Sequence, residues 1–187
     1  MNPTSQPVYS AQPVVPSGGG LGSPGYPYKI AVLCDIRNSK GEMLLLHRLK
    51  EPNKGLFSPI GGKLDTSTGE SPTRCAQREA MEEAGVEIPL DRFRLAGMIS
   101  ERGYESKTNW LLFYFRVEGA VDFEAFEMNE GRLEWHDPAG IERLALPETD
   151  RRIIWPLVRK HEGGFFAVHI DCDGPEMTWR VEQSWGG

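Results

Sequence analysis

Positive charge is scarce and scattered in this chain: 21 Lys and Arg stand against 27 Asp and Glu, a net charge of −6. No basic patch or interleaving of aromatic and basic residues stands out. That weighs against a duplex nucleic-acid binder, whose affinity comes largely from phosphate contacts. Cysteine is rarer still. Cys34, Cys75 and Cys172 are odd in number and far apart, with neither zinc nor redox spacing, and read as reduced thiols of a cytoplasmic protein. The four histidines, His47, His136, His161 and His169, also lack ligand spacing and read as structural or exposed. No apolar stretch approaches the roughly 20 residues of a membrane span. The first 27 residues have almost no charge, are rich in Pro, Gly and Ser, and lack the basic-then-apolar run of a signal peptide. Nothing in them offsets the entropy of ordering, so a flexible tail is expected over residues 1–27, followed by one domain over 28–187.

What is present from residue 28 onward is the pattern of a mixed α/β domain. Apolar runs at 30–34 and 43–47 flank the turn residues Asn38, Ser39, Lys40 and Gly41 and predict a hairpin. Further strands are expected over 94–100, 110–117 and 133–135. A helix is expected over 150–160, kinked or interrupted by Pro156, and a closing hairpin over 165–171 and 177–181.

The most informative stretch is Arg78-Glu79-Ala80-Met81-Glu82-Glu83-Ala84-Gly85-Val86. Ser71 is a good N-cap, Pro72 suits the first helical position and Gly85 suits a left-handed end, so a helix is predicted over 72–84. Offsets of 0, 3 and 4 place Glu79, Glu82 and Glu83 on one face of it. Two carboxylates about 6 Å apart repel by roughly 3 kcal/mol at an effective dielectric of about 20. A divalent cation would balance them, and Mg²⁺ prefers carboxylate oxygens and usually also holds substrate phosphates. The bland alternative is a solvated, Glu-rich helix face. Just upstream, Gly61-Gly62-Lys63 permits a backbone path that turns a main-chain carbonyl toward such an ion, or is an ordinary turn.

Together these segments resemble the Nudix box, in which a Gly and a Glu precede an Arg-Glu-apolar-x-Glu-Glu-x-Gly-apolar helix. Glu70, the seven residues 71–77, and Arg78 through Val86 match that pattern. Seven residues rather than five separate Gly62 from Glu70, a two-residue insertion around Thr66, Ser67 and Thr68. The resemblance implies the Nudix α/β/α sandwich, with a mixed β-sheet and a loop-helix-loop site. It implies hydrolysis of a nucleoside diphosphate linked to another group, with Mg²⁺ or Mn²⁺ as cofactor. Metal coordination then falls to the Gly61 carbonyl, Glu79, Glu82 and Glu83. Arg78 orients the neighbouring carboxylates, and Glu70 supports them from the helix start. The general base is either a helix glutamate or an acid on a later loop, with Glu127 and Glu130 as candidates.

Weaker similarity to the MutT-type enzymes extends over about 28–183 and suggests a nucleoside triphosphate substrate, including oxidised ones such as 8-oxo-dGTP. Phe57, Ser58 and Lys63 lie in the approach segment, and Glu148 and Asp150 match acids that face the base edge in that branch. An acid there accepts from a purine N–H or amino group. Phe57 either stacks on a base or packs in the core. ADP-ribose, nucleotide-sugar or dinucleoside polyphosphate cleavage is the alternative chemistry, and a non-catalytic nucleotide sensor the alternative class. Oligomeric state is not legible.

Overall fold

A computed structural model of the chain describes residues 25–51 and 53–186, so the expected tail lies almost wholly outside the described residues. Two sheets form. The larger is five-stranded, in the order β1 (Tyr28–Asp35), β5 (Thr108–Val117), β4 (Phe93–Tyr104), β7 (Phe165–Asp171), β8 (Thr178–Trp185). Its β1–β5 and β4–β7 pairs are parallel, and β4–β5 and β7–β8 are antiparallel, so the sheet is mixed. The smaller sheet runs β3 (Phe57–Pro59), β2 (Met43–Arg48), β6 (Gly131–His136), all antiparallel.

The expected hairpin of 30–34 with 43–47 does not form. The chain does turn back there: the Asn38 N–H donates to the Glu42 carbonyl at 3.0 Å, and the Leu44 N–H to the Ile36 carbonyl at 2.9 Å. Beyond that turn the two strands part into different sheets. The reason lies in β2. Met43, Leu44, Leu45 and Leu46 are all fully buried. Leu44 and Leu46 enter one apolar cluster while Met43 and Leu45 enter the other, so this strand must be covered on both faces.

One cluster lies between the larger sheet and α1 (Pro72–Ala84), the other between that sheet and α2 (Trp155–Lys160). The chain is therefore an α/β/α sandwich. Helix α1 runs as the sequence predicts. The Ser71 hydroxyl accepts from the Arg74 N–H at 3.3 Å, and Gly85 ends the helix with φ of 67°. Cys75, Ala76, Ala80 and Ala84 form its buried stripe, small enough to bring the backbone close to the sheet. Before α2, residues Asp150–Ile154 form a wide π-type turn, and Pro156 falls in the first turn of α2. The two segments form one unbroken helical stretch, since Ile154 and Trp155 both keep right-handed helical angles, and the wider π turn before Pro156 accommodates its ring without the expected interruption. Among the described residues no helix is long and apolar enough to cross a membrane.

Candidate functional site

The site begins at the outer edge of β1, where residues 60–64 run alongside the strand. Val32 N–H donates to the Gly62 carbonyl at 2.9 Å, and Cys34 N–H to the Ile60 carbonyl at 2.7 Å. These bonds bring the double glycine against α1. A Cβ on Gly61 would overlap the Val32 carbonyl, and one on Gly62 would overlap the Glu79 carboxylate. At Gly61 the obstacle is backbone and excludes a Cβ, whereas at Gly62 a Cβ would displace the end of the Glu79 side chain.

Arg78 is the organising side chain. Its Nε and Nη2 donate to the two Glu70 oxygens at 2.9 and 3.0 Å, a bidentate pair. Its Nη1 donates to Glu79 Oε1 at 2.6 Å and to Glu82 Oε2 at 3.1 Å, and Nη2 reaches the Lys63 carbonyl at 3.1 Å. This one guanidinium ties the loop before the helix to two carboxylates on it. Arg78 holds Glu70 below its ordinary carboxylate range, while the surrounding acids raise Arg78. The two-residue insertion leaves this intact, because it folds into its own turn. Asp65 accepts from the Ser67 N–H at 3.0 Å, and Glu70 Oε2 accepts from the Asp65 N–H at 2.9 Å.

Glu79 and Glu83 are buried, whereas Glu82 is exposed. Burial raises Glu79 above its ordinary value against the pull of Arg78. Burial pushes Glu83 up to about 7, opposed by the Gly61 N–H, which donates to its Oε2 at 3.1 Å. The neighbouring charges of Glu79 and Glu130 raise it further. The trio therefore shares a flank without closing on one point. Among the described residues no three His, Cys, Asp or Glu side chains already surround a common centre. Repulsion is relieved instead by Arg78, which draws Glu79 and Glu82 together on one nitrogen. The donor set still suits a hard cation: two buried carboxylates face one loop, and that burial disfavours their charge unless more positive charge arrives.

The remaining candidates separate. Glu130 lies within electrostatic reach of Glu83 and pairs with Arg48 at 3.7 Å. Glu127 sits in an isolated bridge opposite Arg132, exposed, and nothing among the described residues links its carboxylate to α1. Phe57 stacks on His47 with centroids 4.4 Å apart and meets His136 edge-on at 5.1 Å, so it packs between side chains of β2 and β6. Ser58, half-buried, pairs with Leu46. The Lys63 side chain is exposed, and its carbonyl serves Arg78. Glu148 is exposed and paired with Arg152 at 2.7 Å.

Asp150 is different. It lies beside Glu101 of β4, and burial pushes both carboxyls up to about 7. Glu101 went unnoticed in the sequence because the strand was expected to end at residue 100. The signal was available: Gly97, Ile99 and Glu101 alternate as the buried positions of one strand, and an acid in that series is anomalous.

The NUDIX domain family matches residues 27–156, which span the loop, α1 and the Glu101–Asp150 region. An uncharacterized Nudix hydrolase of Bacillus subtilis, YvcI, is 29% identical over 107 residues, 57% of this chain and 66% of that protein, just under two thirds of its length. Among solved structures, a MutT protein from Bacillus halodurans superposes with a TM-score of 0.64 at 22% identity, covering 82% of this chain and 97% of the other. A MutT protein from Methanosarcina mazei gives 0.62 at 27% identity, covering 74% and 98%. The first of these likenesses is one of fold alone. With the family matched over most of the described chain, and the Arg78–Glu83 helix standing where the resemblance required it, this chain belongs to the NUDIX domain family.

Proposed function

We propose that the protein is a Mg²⁺-dependent pyrophosphohydrolase that cleaves a nucleoside triphosphate to the monophosphate and pyrophosphate. The carrying observation is the pair of buried carboxylates, Glu79 and Glu83, set under the Gly61–Gly62 loop and braced by the Arg78–Glu70 clamp. Glu79, Glu82, Glu83 and the Gly61 carbonyl would hold the ion, with Mn²⁺ as a substitute. When bound, such an ion neutralises phosphate oxygens and acidifies a water. Arg78 fixes the orientation of Glu79 and Glu82, and the Gly61 N–H fixes that of Glu83. Glu130, exposed and within electrostatic reach of Glu83, would take the proton of the attacking water at its carboxylate. The Asp150 side, with Glu148 at its rim, is the base end of the substrate.

The two buried carboxylates, whose charge burial disfavours unless a cation arrives, support this reading over a nucleotide sensor, which has no need of them. A panel of dGTP, 8-oxo-dGTP, ADP-ribose and diadenosine polyphosphates, assayed with Mg²⁺ for released phosphate products, tests it. The expected result is fastest release of pyrophosphate from a triphosphate. Faster cleavage of ADP-ribose or a dinucleoside polyphosphate would move the assignment, and background rates throughout would favour the sensor. Glu83→Gln should lower kcat by orders of magnitude while retaining the fold, because its amide oxygen still accepts the Gly61 N–H.

A further inference from the structure

A buried polar atom without a partner is rare enough to need a reason. Glu101 supplies one. The residue is 4% exposed and its Oε1 makes no hydrogen bond among the described residues. It sits in the middle of the larger sheet, flanked by Trp110 of β5 and Ile170 of β7. Two other segments and the end of its own strand gather around it. The 149–150 turn brings Thr149 and Asp150, whose side chains meet at 3.5 Å. The end of β4 brings Tyr104, whose hydroxyl reaches Asn53 at 3.4 Å. Cys172 closes the group beyond β7.

Neither local structure nor folding explains the placement. The same inward face of β4 carries Ile99 in an apolar cluster, and a leucine would extend it. Among the described residues no Lys, Arg or His pairs with Glu101, and the charge that acts on it is that of another acid, Asp150. A carboxyl kept in such a place lowers stability, and groups kept at that expense are drawn from functional sites. The location agrees. Only β5 separates β4 from β1, so about 10 Å lies between Glu101's strand and the strand flanked by the Gly61–Gly62 loop. One extended nucleotide covers that span.

We infer that Glu101, acting with Asp150, is a specificity-determining residue whose free oxygen accepts an N–H from the edge of the substrate's base. The preferred substrates are then nucleotides whose base offers a ring N–H or an amino group, and bases bare of both are rejected. The inference rests on the reading of the site as a nucleotide site. With both carboxyls raised to about 7, the pair presents an acceptor beside a donor near neutral pH, matching a base edge of mixed character.

Calorimetric binding of two product-like nucleotides tests this without needing turnover: GMP, and purine riboside 5′-monophosphate, which keeps the sugar and phosphate but lacks the exocyclic groups and the ring N1–H. The wild-type chain should bind GMP at least about tenfold more tightly. Glu101→Leu should raise Tm and bring the two affinities to within about twofold, whereas a structural glutamate would lower Tm when removed. Glu101→Gln, whose amide oxygen still accepts an N–H, should retain most of the preference for GMP. Equal binding by the wild type overturns the inference, as does discrimination that survives in Glu101→Leu. Failure of hydrolysis with discrimination intact would overturn the pyrophosphohydrolase assignment alone.

Discussion

Gly62 is held to glycine by a neighbouring side chain: the space that its Cβ would fill is taken by the Glu79 carboxylate. Close approach of loop and helix thus aims Glu79, and any side chain at 62 would push that carboxylate off its position. Gly62→Ala should therefore act as a site mutation more than as a folding mutation. The expected loss is at least about tenfold in kcat, with a rise in the Mg²⁺ concentration needed for half-activity. Overpacking of this kind typically costs about 1–3 kcal/mol, and displacement of one half-free side chain belongs at the lower end. A Mg²⁺ titration of activity beside a urea melt checks both halves. Gly69→Ala serves as the contrast, since a Cβ there meets nothing and only its φ of 69° resists substitution. It should affect stability without touching the cation requirement.

At the scale of the element, α1 was readable to the residue because its signals are local. Ser71, Pro72 and Gly85 act through bonds within a few residues, and the 0, 3, 4 spacing of the carboxylates is fixed by helix geometry alone. The hairpin misreading has the opposite origin. The turn at Asn38–Gly41 is real, but partner choice for β2 is set by burial of both its faces, which depends on residues nearly a hundred positions away in β6. The same distance dependence hid the proximity of Glu101 to Asp150, whereas the approach of Glu130 to Glu83 was expected from the family resemblance. Sequence gives spacing along one element and says little about which elements meet. Local signals also predict separable effects. Ser71→Ala removes the cap on the Arg74 N–H and should cost about 1 kcal/mol of stability. Turnover should persist, because Arg78 and Glu83 are bonded to the loop and Glu79 to Arg78, none of them to the cap. A variant that lost activity in proportion to stability would show that the cap also positions the carboxylates.

For the molecule as a whole, the buried acids impose a direction on stability against pH. Glu101 and Asp150 lie at about 7 against ordinary values of 4.5 and 3.8, so the folded state binds protons more tightly than the unfolded one. Their contribution is fully present below the unfolded values and is lost as pH rises through about 7. Glu70 runs the other way: held low by Arg78, its contribution is present above 4.5 and lost as pH falls. Stability should thus peak in the mildly acidic range and decline toward pH of about 8, with Glu83, also raised to about 7, acting in the same direction. Urea midpoints across that range should show the decline, and Glu101→Leu should flatten it. Mg²⁺ adds an independent lever at the other acidic centre. If Glu79, Glu82 and Glu83 hold the ion, saturating Mg²⁺ stabilises the fold by mass action, about 2.7 kcal/mol at a hundredfold excess over Kd. That gain should be largest at alkaline pH, where Glu83 is ionised, and should vanish in Glu83→Gln while persisting in Glu101→Leu. Equal stabilisation of wild type and Glu83→Gln by Mg²⁺ would place the ion elsewhere on this acidic protein and remove the basis for the assigned chemistry.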